Sequence, residues 1–154
     1  MPTTDIATPH ELQPPANDRL TIRVTRDPLR VLHGFPISSD YVETFWLPQI
    51  GPSAVCLLRL IDRTTRHSPD RQIDLALTDL ATMAGIPSTG SRNSTITRSI
   101  DRLVRFGAAR WDNTTQTELT VWSHLATVPA RAQARWPAWL LEAHTHMLSQ
   151  RRAG

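Results

Sequence analysis

Apolar residues first fall into a regular pattern at Arg19–Thr25, RLTIRVT. There Leu20, Ile22 and Val24 alternate with polar neighbours, the period-2 signature of a half-buried strand. The next stretch, DPLRVLHGFP, is punctuated by Asp27-Pro28, Gly34 and Pro36, and predicts a turn or a short strand. Ser38, Ser39 and Asp40 then offer caps to a helix with Val42, Phe45 and Trp46 on one face, which Pro48 should stop. After Gly51, Pro52 stands at a favoured first helical position. The apolar residues Ala54, Val55, Leu58 and Ile61 follow at helical spacing, and Leu57 and Leu60 widen the stripe into that of a core helix.

The second half alternates element types. SPDRQ reads as a loop, and IDLALT as a short strand through Ile73, Leu75 and Leu77. Thr78 is expected to cap the helix DLATMAG, with Gly85 just past its end. IPSTGSRN makes a turn. A longer helix follows from about Ser94 to Phe106, its stripe formed by Ile96, Ile100, Leu103 and Val104, and Gly107 ends it. AARWD and ELTVWSHL read as two strands around the polar loop DNTTQT. The last helical region starts at Pro129 and is split by Pro137. Its second helix, from Ala138, should bury Leu140, Leu141 and Met147, leaving Trp136 and Trp139 partly exposed.

From Pro52 to Leu125 the predicted order is helix, short strand, short helix, turn, longer helix, hairpin. That order is a winged helix-turn-helix. The expected fold class is mainly α with a small β-hairpin wing (α+β), plus a C-terminal helix. Four segments result: a disordered tail at 1–18, rich in Pro, Thr and Asp; an N-terminal extension with a short strand at 19–37; the winged domain at 38–128; and a helical extension at 129–154. In the short helix Leu80, Ala81 and Met83 should pack on the longer one, with Ala81 and Ala84 small enough for close approach.

Charge sharpens this picture. The chain's net charge is +3, with seventeen arginines and no lysine, yet residues 91–110 alone hold five arginines against the single acid Asp101. A rotation of 100° per residue turns Arg98, Arg102 and Arg105 away from the apolar stripe, with Ser91, Arg92, Asn93, Ser94, Thr95 and Thr97 at the N-terminal end. Arginines suit phosphates and guanine edges, and small polar donors beside a helix N-terminus suit backbone phosphates. These nine residues are therefore the candidate DNA-binding set. The wing offers Asn113, Thr114, Thr115 and Gln116 for weaker, neutral contacts, because its tip has no cation and Asp112 would be repelled by phosphate.

Composition narrows the alternatives. With 40% hydrophobic and 20% charged residues, the 154-residue chain fits one soluble globular domain. The lone Cys56 can form no internal disulfide and should be a small buried residue, which favours a reducing compartment. No stretch reads as a signal peptide or reaches the ~20 apolar residues of a membrane span, so a cytoplasmic location without membrane attachment is expected. His144 and His146 would point about 200° apart on a helix and cannot chelate one metal. No nucleophile elbow, phosphate-binding lysine loop or catalytic carboxylate pair is present, so no enzyme, cofactor or metal site is expected.

FWLPQIGPSAVCLLRLIDR resembles the start of the winged-helix domain of DnaD-type replication-initiation proteins, where a W-L-P-x-x-G turn leads into an apolar helix. LTDLATMAGI with STITRSIDRLVRFGAARW is similar to the paired helices of that domain and of many actinobacterial helix-turn-helix proteins. The resemblance covers Tyr41 to Leu125. It implies a DNA-binding scaffold shared by transcription regulators and replication proteins. The first reading is a transcription regulator bound to double-stranded DNA, as a homodimer through the C-terminal helix. A replication or plasmid-maintenance protein is the alternative, and a winged-helix adaptor that binds protein instead of DNA is the rival class.

Overall fold

The structure is a computed structural model that describes residues 18–87 and 94–154. Of the expected tail, residues 1–17 lie outside the described residues. The fold mixes helices with a small sheet. Strand β1 (Arg19–Thr25) buries Leu20, Ile22 and Val24, as its alternation requires. It is one of the two inner strands of a four-stranded sheet ordered β3-β1-β5-β4, where β3 is Gln72–Ala76, β4 is Ala109–Trp111 and β5 is Glu118–Trp122. β1 runs antiparallel to β3, with Ile22 opposite Ile73, and parallel to β5, with Ile22 opposite Leu119. What the sequence sets apart as an extension thus supplies a central strand.

Helix α3 (Pro52–Thr65) packs on this sheet and is the core helix expected, burying Ala54, Val55, Leu57, Leu58 and Ile61. Cys56, however, is exposed. It lies between two inward positions, and a 100° step each way carries it off the stripe.

Asp27–Pro36 is more ordered than its punctuation suggests. Asp27 accepts from the N–H groups of Leu29 (2.9 Å) and Arg30 (3.1 Å) and caps helix α1 (Pro28–His33), with Pro28 in its first turn. α1 buries no residue, so no periodicity could announce it. Strand β2 (Phe35–Pro36) then pairs with β6 (His124–Leu125). Pro48 does not end the next helix. A π-helical segment, Val42–Trp46, runs directly into α2 (Leu47–Ile50), with Pro48 in its first turn. The wider π turn opens the backbone just where a proline ring would press on the carbonyl one turn back.

Helix α4 (Leu77–Ala84) starts one residue before the expected cap. Thr78 instead donates to the Asp18 carboxylate at 2.9 Å, joining α4 to the entry of β1. Leu80 and Ala81 are buried, whereas Met83 is exposed and does not pack as expected. Gly85 adopts φ 67°, the left-handed conformation that turns the chain toward α5 (Thr95–Arg105). After the hairpin come the short α6 (Ala130–Gln133) and α7 (Ala138–Ala153).

The C-terminal region is built into the core. Trp136 is buried beside Phe45 and His144, with ring centroids 5.8 and 5.3 Å away. Leu140 is buried, Leu141 and Met147 are half-buried against the core, and only Trp139 is widely exposed, at 68%. The expectation that both tryptophans stay exposed is thus corrected for Trp136, whose position between α6 and α7 turns it onto Phe45. His144 is also buried, its Nε2 2.7 Å from the Tyr41 hydroxyl, which in turn accepts from the Val128 N–H at 3.0 Å. Near the end of α7, the Arg151 guanidinium donates to the carbonyls of Leu32, His33 and Gly34 and sits 4.2 Å over the Phe35 ring.

Candidate nucleic-acid interface

Helix α5 is held from both sides. Ile96, Ile100 and Leu103 are buried, with small Ser99 between them and Val104 half-buried at the stripe's edge. Ser94 caps the helix; its hydroxyl accepts from the Thr97 N–H at 3.4 Å and pairs with the Thr97 hydroxyl at 2.9 Å. Ser94 is itself buried, which removes it from any groove-facing role. Thr95 and Thr97 are half-buried on the two flanks. Ser91, Arg92 and Asn93 lie outside the described residues.

Arg98, Arg102 and Arg105 are exposed, as the rotation from the stripe predicts, but they do not form one row. Arg98 and Arg105 stand almost opposite the stripe. Arg102 is turned toward the α2–α3 junction, where its Nη1 comes so close to Gly51 that an added Cβ would meet it at 2.8 Å. Gly51 has φ 83°, so its backbone calls for glycine there, while the guanidinium end of Arg102 could move aside for a Cβ. Among the described residues, no carboxylate lies within 4 Å of Arg102 or Arg105.

Asp101 belongs to the same ridge. It is exposed, three residues after Arg98 and four before Arg105, so its carboxylate shares the outermost face with them. The rotation that turns the arginines outward also gives this placement, which counting charges alone passes over. α5 thus presents two outward cations around one anion, with a third cation on its flank.

The hairpin tip has a different character. Asn113 spends its side chain on the turn: Oδ1 accepts from the N–H groups of Thr117 (3.0 Å) and Glu118 (3.2 Å), and Nδ2 donates to the Thr117 hydroxyl at 2.7 Å. It therefore holds the loop's shape and is not a free contact. Thr114, Thr115 and Gln116 are exposed, and Gln116 takes a left-handed φ of 55°. Asp112 is less repulsive than its formal charge suggests. The Thr120 hydroxyl donates to it at 2.5 Å, the largest influence on its carboxyl, and Arg110 pairs with it at 3.0 Å; together they outweigh burial and hold the carboxyl below the usual range. Arg110 and Arg30 also flank the half-buried Trp122 ring, at 5.3 and 4.5 Å.

Among the described residues, no group of three metal-ligating side chains converges, and no helix is long and apolar enough to cross a membrane. Compared with known proteins, the chain matches no family model, no curated sequence and no solved structure.

Proposed function

We propose that the chain binds double-stranded DNA through a winged helix-turn-helix, in which α4 and α5 form the helix pair and the β4–β5 hairpin is the wing. The observation that carries this reading is the outward placement of Arg98 and Arg105 on a helix anchored by Ile96, Ile100 and Leu103 and preceded by the left-handed turn at Gly85. In this proposal α5 enters the major groove. Arg98 and Arg105 take phosphates or guanine edges, Arg102 takes a flanking phosphate, and Thr95 and Thr97 approach the backbone. Thr114, Thr115 and Gln116 make neutral contacts at most. The chain departs from the simple scheme in one respect: β1 lies between β3 and the hairpin. The biological role in this reading is regulation of transcription, with replication or plasmid maintenance as the alternative, and the protein acts without catalysis. A homodimer is part of the proposal, but Trp139 is the one tryptophan of the C-terminal region free to serve it.

Asp101 favours a second reading, a protein adaptor, because a carboxylate in the middle of the ridge opposes a phosphate surface. Fluorescence anisotropy on a labelled duplex over a salt series separates the two. Arg98→Ala with Arg105→Ala should weaken binding to every sequence and flatten the log–log salt slope by about 0.9 for each phosphate no longer neutralised. Unchanged affinity and slope would leave the adaptor reading standing.

A further inference from the structure

A cleft of about 480 Å³ opens where the C-terminal end of α5 meets α2 and α6. Its volume falls in the ~300–1,000 Å³ range of small-molecule sites. Arg105 enters from α5, Arg131 from α6 and Arg135 from just beyond it, while Gln49, Phe106 and Trp46 complete the wall. No acid lines the cleft, and among the described residues none of these arginines has a carboxylate within 4 Å. Guanidinium groups cannot shed their protons near neutral pH, so three permanently charged residues line one cleft without a carboxylate counter-ion from the described residues. The three side chains are exposed at an open cleft, where like charges repel, and a multivalent anion would relieve all three at once. The wall is not purely ionic. Phe106 is 38% exposed and offers a ring, Trp46 is fixed by donating its indole N–H to the Ala126 carbonyl at 2.8 Å, and Gln49 brings an amide.

We infer that this cleft is a binding site for a phosphorylated small ligand with a planar ring, a nucleotide in chemical class. Its phosphates sit among Arg105, Arg131 and Arg135, and its ring packs beside Phe106 within reach of the Gln49 amide. The ligand would tie α6 to the end of α5 and so couple the C-terminal region to that helix. The inference does not require DNA binding: of the three arginines only Arg105 is shared with the proposed groove-facing set, and Arg131 and Arg135 lie outside it.

The test is thermal unfolding of the full chain with adenosine or guanosine triphosphate, inorganic tripolyphosphate or a duplex oligonucleotide as separate additives. A nucleotide that binds at about 100 µM should raise Tm by roughly 3–5 °C at 1 mM. Arg131→Gln with Arg135→Gln should abolish that rise, and Arg98→Ala should keep it even if duplex binding is lost. The inference is overturned if neither nucleotide raises Tm, or if the double variant responds like the parent. Tripolyphosphate acting as strongly as the nucleotides would overturn the nucleotide class. Loss of duplex affinity in the double variant, with no small anion ever shifting Tm, would assign the cleft to the DNA footprint and also overturn it.

Discussion

Replacing Tyr41 by Phe removes one oxygen and leaves the ring in place between Phe35, stacked 3.6 Å from it, and Phe45. That oxygen accepts from the Val128 N–H and pairs with His144 Nε2, and all three residues are buried. The hydroxyl accepts from the amide and still has a hydrogen and a second lone pair, so it satisfies the imidazole Nε2 in either neutral tautomer. The substitution creates almost no cavity but strands the buried Val128 N–H and the buried imidazole Nε2. At about 1–3 kcal/mol for each of the two unsatisfied groups, the expected cost is about 2–6 kcal/mol. For a chain of this length that corresponds to a fall in Tm of roughly 4–24 °C. Urea unfolding at pH 8 should show a lower midpoint with an unchanged m-value, since the unfolded surface is the same. A cost below about 0.5 kcal/mol would refute the reasoning, because it would mean that neither group depends on the hydroxyl. The pH dependence supplies a second arm. Burial pushes the His144 imidazole below its ordinary value. As pH falls through about 6.5 the unfolded chain binds that proton first. Stability is therefore full above that pH and declines below it, until the folded-state imidazole titrates too. His144→Gln, which keeps an acceptor toward Tyr41 but does not titrate, should flatten the decline. A remainder should come from His124, lowered by burial and by Arg26 and Arg151.

Two further outcomes rest on side chains already described. Asp101→Asn should tighten duplex binding by about 2–5-fold at low ionic strength, fading toward 0.15 M salt as the charge is screened; weaker binding to every duplex would remove Asp101 from the DNA-facing ridge. Cutting the chain after Val128 should abolish cooperative unfolding by circular dichroism, because it strips Trp136, Leu140 and His144 from Phe45 and Tyr41. A folded fragment with a sharp transition would show the C-terminal region to be an appendage, as the sequence suggests.

Elements with a core-facing period were legible in the chain. The alternation at Leu20, Ile22 and Val24 and the stripe from Ile96 to Leu103 both resolve into buried faces, and the turn at Gly85 adopts the conformation its residue type suggests. Elements held by caps or carbonyl contacts were not legible. Helix α1 rests on Asp27 and the reach of Arg151, and neither produces a hydrophobic pattern. Pro48 misleads because the π segment before it is a tertiary accommodation, not a local preference. On α5 the arginines' outward direction could be read, since rotation from a stripe is local. The lean of Arg102 over Gly51 depends on a junction brought there by packing, and the cleft joins residues from three separate segments. For Trp136 the chain shows only an aromatic residue beside a proline, and Phe45, which packs on it, lies far earlier in the sequence.

The placement of β1 has a kinetic side. Synthesised early, this strand finds its first partner only when β3 has been made and its second only when β5 has, with Ile22 waiting for Ile73 and then Leu119. Pairings of such sequence separation carry a loop-closure cost before any contact repays it, and parallel pairing slows assembly further. On the ribosome, Leu20, Ile22 and Val24 stay uncovered while most of the chain is still emerging, a window in which an unpaired apolar strand can join another chain. The sheet therefore closes late, and its first-made strand is the one that waits for two later-made strands to arrive.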